Sequence, residues 1–153
     1  MRRKLSSRKG ATAVEFALVL PMLMLILFGI IEFSVIMYNK AMITNASREG
    51  ARRGIVYRVD PVTFDYSPLT DAQIRTEVIK YISNHLITFS GLSTPAIAVT
   101  RATEVSGDVL TVQVDYPYNF LVVPPIAAIA APEGAALPGA ITLSSATKMR
   151  MEK

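Results

Sequence analysis

Sixteen consecutive residues, Phe16 to Ile31, carry no charged side chain. They follow a leader that is half cationic: Arg2, Arg3, Lys4, Arg8 and Lys9 within the first ten residues. Between the two lie Gly10, the small residues Ala11, Thr12 and Ala13, and one carboxylate, Glu15. Residues 11–31 would make roughly 31 Å of helix at 1.5 Å per residue, against roughly 30 Å of bilayer hydrocarbon. Such a stretch has to cross a membrane or be wrapped on every side, and 153 residues cannot do the second while building another large core. A carboxylate carried to mid-membrane costs about 2.5–3.5 kcal/mol, so Glu15 is expected at an interface or with a partner.

The apolar character resumes after Glu32 through Phe33, Val35, Ile36, Met37 and Tyr38. The expected organisation is a leader over 1–10, a transmembrane helix over 11–38, an extramembrane continuation of that helix over 39–59, and an α+β domain over 60–153. Pro21 lies inside the span and removes the hydrogen bond to the Ala17 carbonyl, so a bend is expected there; membrane helices tolerate one. A cleaved secretory signal would need a shorter apolar core and a small-x-small site, and residues 31–37 offer none. Five cations in ten residues precede the span, whereas only Lys40 follows in the first nine residues after Tyr38. This asymmetry predicts a cytoplasmic N-terminus and an extracytoplasmic C-terminal domain.

The formal charge of +4 suggests nucleic acid until its location is considered. Five of the 16 basic residues lie in the leader, leaving 11 against 12 acidic ones in the rest of the chain. No nucleic-acid partner is expected. There is no Cys, hence no disulfide framework and no thiolate metal site. His85 is the single His, on or beside an apolar helical face, and reads as structural. With no Gly-rich phosphate loop, no nucleophile elbow and no convergent carboxylate pair outside the span, neither enzymatic activity nor a cofactor is expected.

Past the span, Ile36, Ile43 and Gly50 recur at seven-residue steps, and Ala46, Gly50 and Gly54 stand four apart on one helix face. Small residues at that spacing admit a close neighbour. That neighbour is the protein's own sheet or another subunit, the first being favoured. Arg48, Arg52 and Arg53 flank the stripe and are expected in solvent or paired with Glu49. A connection with Pro61 and Pro68 leads to Thr70-Asp-Ala-Gln73, a capping box. From there Ile74, Val78, Tyr81, Ile82, His85 and Phe89 share a helical face, with Gly91 as the stop. Strands are expected over 96–101, 109–116 and 141–151, the second with Leu110, Val112, Val114 and Tyr116 facing inward. Residues 117–138 read as a long apolar loop, covering its own sheet, resting on the membrane or meeting another subunit.

Lys9-Gly10-Ala11-Thr-Ala-Val-Glu15-Phe16-Ala17, Phe28-Gly-Ile-Ile-Glu32-Phe33, Ala46-Ser-Arg-Glu-Gly50-Ala-Arg-Arg-Gly54 and the closing Met149-Arg150-Met151-Glu152 together resemble the TadE-like family. Its members are small pseudopilins of tight-adherence (Flp, type IVc) pilus systems. The resemblance extends over nearly the whole chain. It implies a pilin-like α+β fold and cleavage between Gly10 and Ala11 by a membrane-embedded prepilin peptidase. It also implies other pilins, pseudopilins and the inner-membrane assembly platform as partners. Glu15 would then be the fifth mature residue. The new α-amine at Ala11, with a reference pKa of roughly 7.7–8.0, would be largely cationic and one helical turn away. Glu15 would pair with that amine or with an adjacent subunit's, at the positive end of the helix dipole. Major pilins of these systems have little beyond the helix, so a chain of this length resembles a minor pseudopilin that initiates or anchors pilus assembly. The alternative is an unprocessed, single-pass membrane-anchored binding module, which needs neither Gly10 nor Glu15.

Overall fold

The computed structural model describes residues 6–59, 64, 66–88, 93–104, 107–121 and 139–151. Helix α1, Ser6–Ile55, is one 50-residue element that continues through Pro21, about 75 Å long at 1.5 Å per residue. Its residues 10–28 are all exposed, and Gly29 is the first to be partly covered. From Glu32 onward one face is buried: Glu32, Ile36, Asn39, Ile43, Ala46, Ser47, Gly50 and Gly54 follow the three- and four-residue steps of a helix laid on a support. The other face, with Phe33, Met37 and Tyr38, stays open. Arg52 and Arg53 complement the dipole in the last turn, and the helix stops at Ile55. Tyr57–Val59, expected as its continuation, instead form β1.

The support is a second helix and an antiparallel sheet, an α+β arrangement. Strands β1 and β2 (Tyr66–Pro68) make a small antiparallel hairpin. Helix α2, Asp71–His85, begins with the expected capping box: Thr70 Oγ1 accepts from the Gln73 N–H, and Gln73 Oε1 accepts from the Thr70 N–H. It buries Ile74, Val78 and Ile82. The helix does not run to Gly91. Leu86 is already extended, and Ile87 is held by the Asn39 side chain instead of continuing the turn. Phe89 and Gly91 lie outside the described residues.

Strands β3 (Ala96–Glu104), β4 (Gly107–Asn119) and β5 (Ala140–Arg150) form the main sheet in that order. Leu110, Val112, Val114 and Tyr116 face the helices and are buried, as their alternation requires. Burying one such side chain contributes about 1.5–3 kcal/mol, and this row shares one core with Ile43, Ala46, Ile74 and Val78. Strand β4 extends past the expected loop start at Pro117, which pairs with Thr142. The β3 register ends at the Ala96–Asp115 pair, so at Pro117 the strand is an edge, where a missing N–H is tolerated. Of the apolar loop, residues 122–138 lie outside the described ones.

On β5, Ser145 and Thr147 face inward although polar. Ser47 of α1 explains them: its Oγ lies 3.1 Å from Ser145 Oγ and 2.7 Å from Thr147 Oγ1, and donates to the Thr44 carbonyl at 2.9 Å. Lys40 adds a bond to the Ser144 carbonyl.

Candidate functional site: the exposed start of helix α1

Gly10, Ala11 and Glu15 all lie on α1 within the stretch that no other element covers. Among the described residues, nothing approaches within 4 Å of the position a Gly10 side chain would take. Ala11 and Glu15 are one turn apart and therefore on the same face. The segment is a continuous helix of low polarity projecting from the domain, long and apolar enough to span a membrane. It is exposed all round over about 28 Å (19 residues at 1.5 Å), close to the thickness of a hydrocarbon layer.

Ala46, Gly50 and Gly54 sit elsewhere, at the contact of α1 with α2 and β4. A methyl at Gly50 would meet Val78 and Val112, and one at Gly54 would overlap Leu110 and Ile74. These small residues admit the protein's own α2 and sheet. Beside them Glu49 accepts from Arg52 and Arg53 at 2.7–3.0 Å, and Arg53 reaches on to Glu77 of α2. The two hydrogen-bonded guanidiniums outweigh partial burial and hold the Glu49 carboxyl below its usual range. His85 is exposed at the end of α2, with Nδ1 2.8 Å from the Tyr81 carbonyl and its ring stacked on Tyr81. Among the described residues no group of three or more His, Asp or Glu side chains is placed to hold a metal ion.

Two residues that sequence reasoning left aside join the helix to the domain. Glu32 is buried, and its Oε1 accepts the backbone N–H of Leu121, where the chain leaves the end of β4. Asn39, fully buried, clasps Ile87. The available signal was polarity out of place: Asn39 stands on the stripe of Ile36 and Ile43, three and four residues away.

Residues 10–52 match the family model described as TadE-like protein. Over this segment, less than a third of the chain, the sequence is similar to that family. The match opens on Gly10 and includes Ala11, Glu15, Glu32, Asn39, Ala46 and Gly50. It covers most of α1 and stops before Gly54, so α2, the sheet and the closing Met149–Glu152 motif lie outside it. No curated protein and no solved structure matches the chain.

Proposed function

We propose that this chain is a minor pseudopilin of a tight-adherence (Flp, type IVc) pilus machine, cleaved after Gly10 and helping to initiate or anchor pilus assembly. The observation that carries the reading is the TadE-like segment, which begins at Gly10 and puts Glu15 one turn beyond Ala11 on an uncovered, membrane-length helix. Cleavage there converts a neutral peptide nitrogen into an amine one turn from Glu15, which supplies a counter-charge for a carboxylate at the edge of lipid. The proposed topology is single-pass in the bacterial inner membrane, N-terminus cytoplasmic, domain outside. The peptidase, other pilins and pseudopilins, and the assembly platform are the proposed partners.

The test is the mature N-terminus and intact mass after expression with and without a prepilin peptidase. A peptidase-dependent start at Ala11 is expected. A chain beginning at Met1 under both conditions would favour the unprocessed anchor and overturn the pseudopilin reading. With processing established, Glu15→Ala is expected to impair pilus assembly at an unchanged level of membrane-inserted protein.

A further inference from the structure

The end of the exposed helix and the underside of the domain meet at one point, and that point fixes where the domain sits. Side chains on a helix lean toward its N-terminus, so the Glu32 carboxylate reaches back toward the turn holding Phe28 to Ile31. Leu121 donates its N–H to that carboxylate, which brings the Leu121 backbone level with the last turn of the apolar span. The covering of α1 begins at the same level, at Gly29. Leu121 is fixed from a second side, because the N–H of the adjacent Phe120 donates to the Gly139 carbonyl at 3.2 Å and its ring makes an edge contact with Tyr118. The Leu121 side chain is nevertheless 49% exposed.

We infer that Leu121 is a second membrane contact: held by Glu32, it seats the foot of the domain in the lipid interface beside the transmembrane helix. The inference rests on the reading of residues 11–31 as a membrane span. The occupant of this surface is lipid rather than protein because the surface is continuous with that span. The headgroup layer is about 5–8 Å deep on each side, and Leu121 lies at its inner boundary. A domain pinned at this depth has a fixed height above the bilayer, whereas a domain on a flexible tether would not.

The chain contains no Trp and no Cys, so single probes report unambiguously. Leu121→Trp, Leu23→Trp in mid-span and Tyr66→Trp on the β1–β2 hairpin would be reconstituted, as full chains, in phosphatidylcholine vesicles with bromines at shallow or deep acyl positions. The expected result is a depth ladder. Position 23 is quenched most by deep bromines, 121 most by shallow ones with blue-shifted emission, and 66 by neither. Because Trp itself favours the interface, a spin label on Leu121→Cys repeats the reading through its relative accessibility to oxygen and to a polar nickel complex, and decides where the two probes differ. Leu121 unquenched and water-accessible while Leu23 is quenched would overturn the inference and leave the span intact. Blue-shifted emission at 121 without lipid quenching would mean that protein covers it, and would overturn it equally. An unquenched Leu23 would remove the span and the inference together.

Discussion

The side-chain amide of Asn39 meets both backbone groups of Ile87: Nδ2 donates to the carbonyl at 2.8 Å, and Oδ1 accepts from the N–H at 3.0 Å. One side chain thus does what a strand partner would do. It holds the chain two residues after α2 ends at His85, and joins the long helix to the segment that leaves the shorter one.

Removing that amide leaves the part-buried N–H and carbonyl of Ile87 without their side-chain partner. Leaving such groups unsatisfied costs about 1–3 kcal/mol, so Asn39→Leu, which keeps the branching but carries no polar atoms, is expected to lower the thermal midpoint by roughly 4–12 °C for a domain of this size. Asn39→Asp retains the acceptor for the Ile87 N–H but sets a carboxylate against the Ile87 carbonyl, and should be no better tolerated. Thermal circular dichroism of the full chain in detergent measures both. An unchanged midpoint for Asn39→Leu would show that the clasp contributes nothing.

Asn39 also shows where legibility stopped. The inward row of β4 and the capping box at Thr70 were both readable, because each is a local pattern imposed by a period or by one turn of helix. The end of α2 was not, because Ile87 is captured from a residue 48 positions earlier and its own neighbours Leu86 and Thr88 carry no stop signal. The β1–β2 hairpin escaped for a different reason: three-residue strands with Pro68 at one end have too little alternation to register. Glu32 stood in the sequence only as the charge that closes the apolar run, because its bond to Leu121 joins parts of the chain 89 residues apart.

Gly54 should not accept a side chain without a cost in stability. A methyl there overlaps side-chain atoms of both Leu110 and Ile74, on two different elements that are themselves fully buried. Overpacking of this kind costs about 1–3 kcal/mol, against a gain of about 1 kcal/mol in helix propensity. Gly54→Ala is therefore expected to destabilise the chain, and Gly29→Ala, whose methyl meets nothing within 4 Å, is not. Equal denaturation midpoints for the two variants would contradict the close packing at Gly54.

The Glu49 carboxyl titrates below its ordinary value of 4.5 because Arg53 and Arg52 stabilise its charged form. A depressed carboxyl contributes stability that is complete above its unfolded pKa and disappears as pH falls through the folded one. Glu49→Gln should therefore be less stable than the parent near neutrality, by an amount that vanishes under acid conditions below pH 4.5. Urea denaturation midpoints of both proteins across that range would show the convergence. A gap independent of pH would mean that the Arg52, Arg53 and Glu77 cluster acts through packing rather than charge.

Tyr118 has the opposite sign. It is 3% exposed at the foot of β4, and its hydroxyl has no hydrogen-bond partner among the described residues. Burial first, and then the negative charges of Glu32 and Tyr116, push its pKa above the ordinary 10.0. The unfolded chain consequently ionises at this position before the folded one, and stability falls as pH rises past 10. Tyr118→Phe removes both liabilities. It deletes a buried, unpaired hydroxyl, so at neutral pH it should match or exceed the parent by up to about 1 kcal/mol. Above pH 10 its advantage should widen. Denaturation midpoints across the alkaline range, read beside tyrosinate absorbance, test the claim. If Tyr118→Phe instead lost stability at neutral pH, the hydroxyl would have to be bonding something at the seam between Glu32 and β4, and the alkaline argument would fall with it.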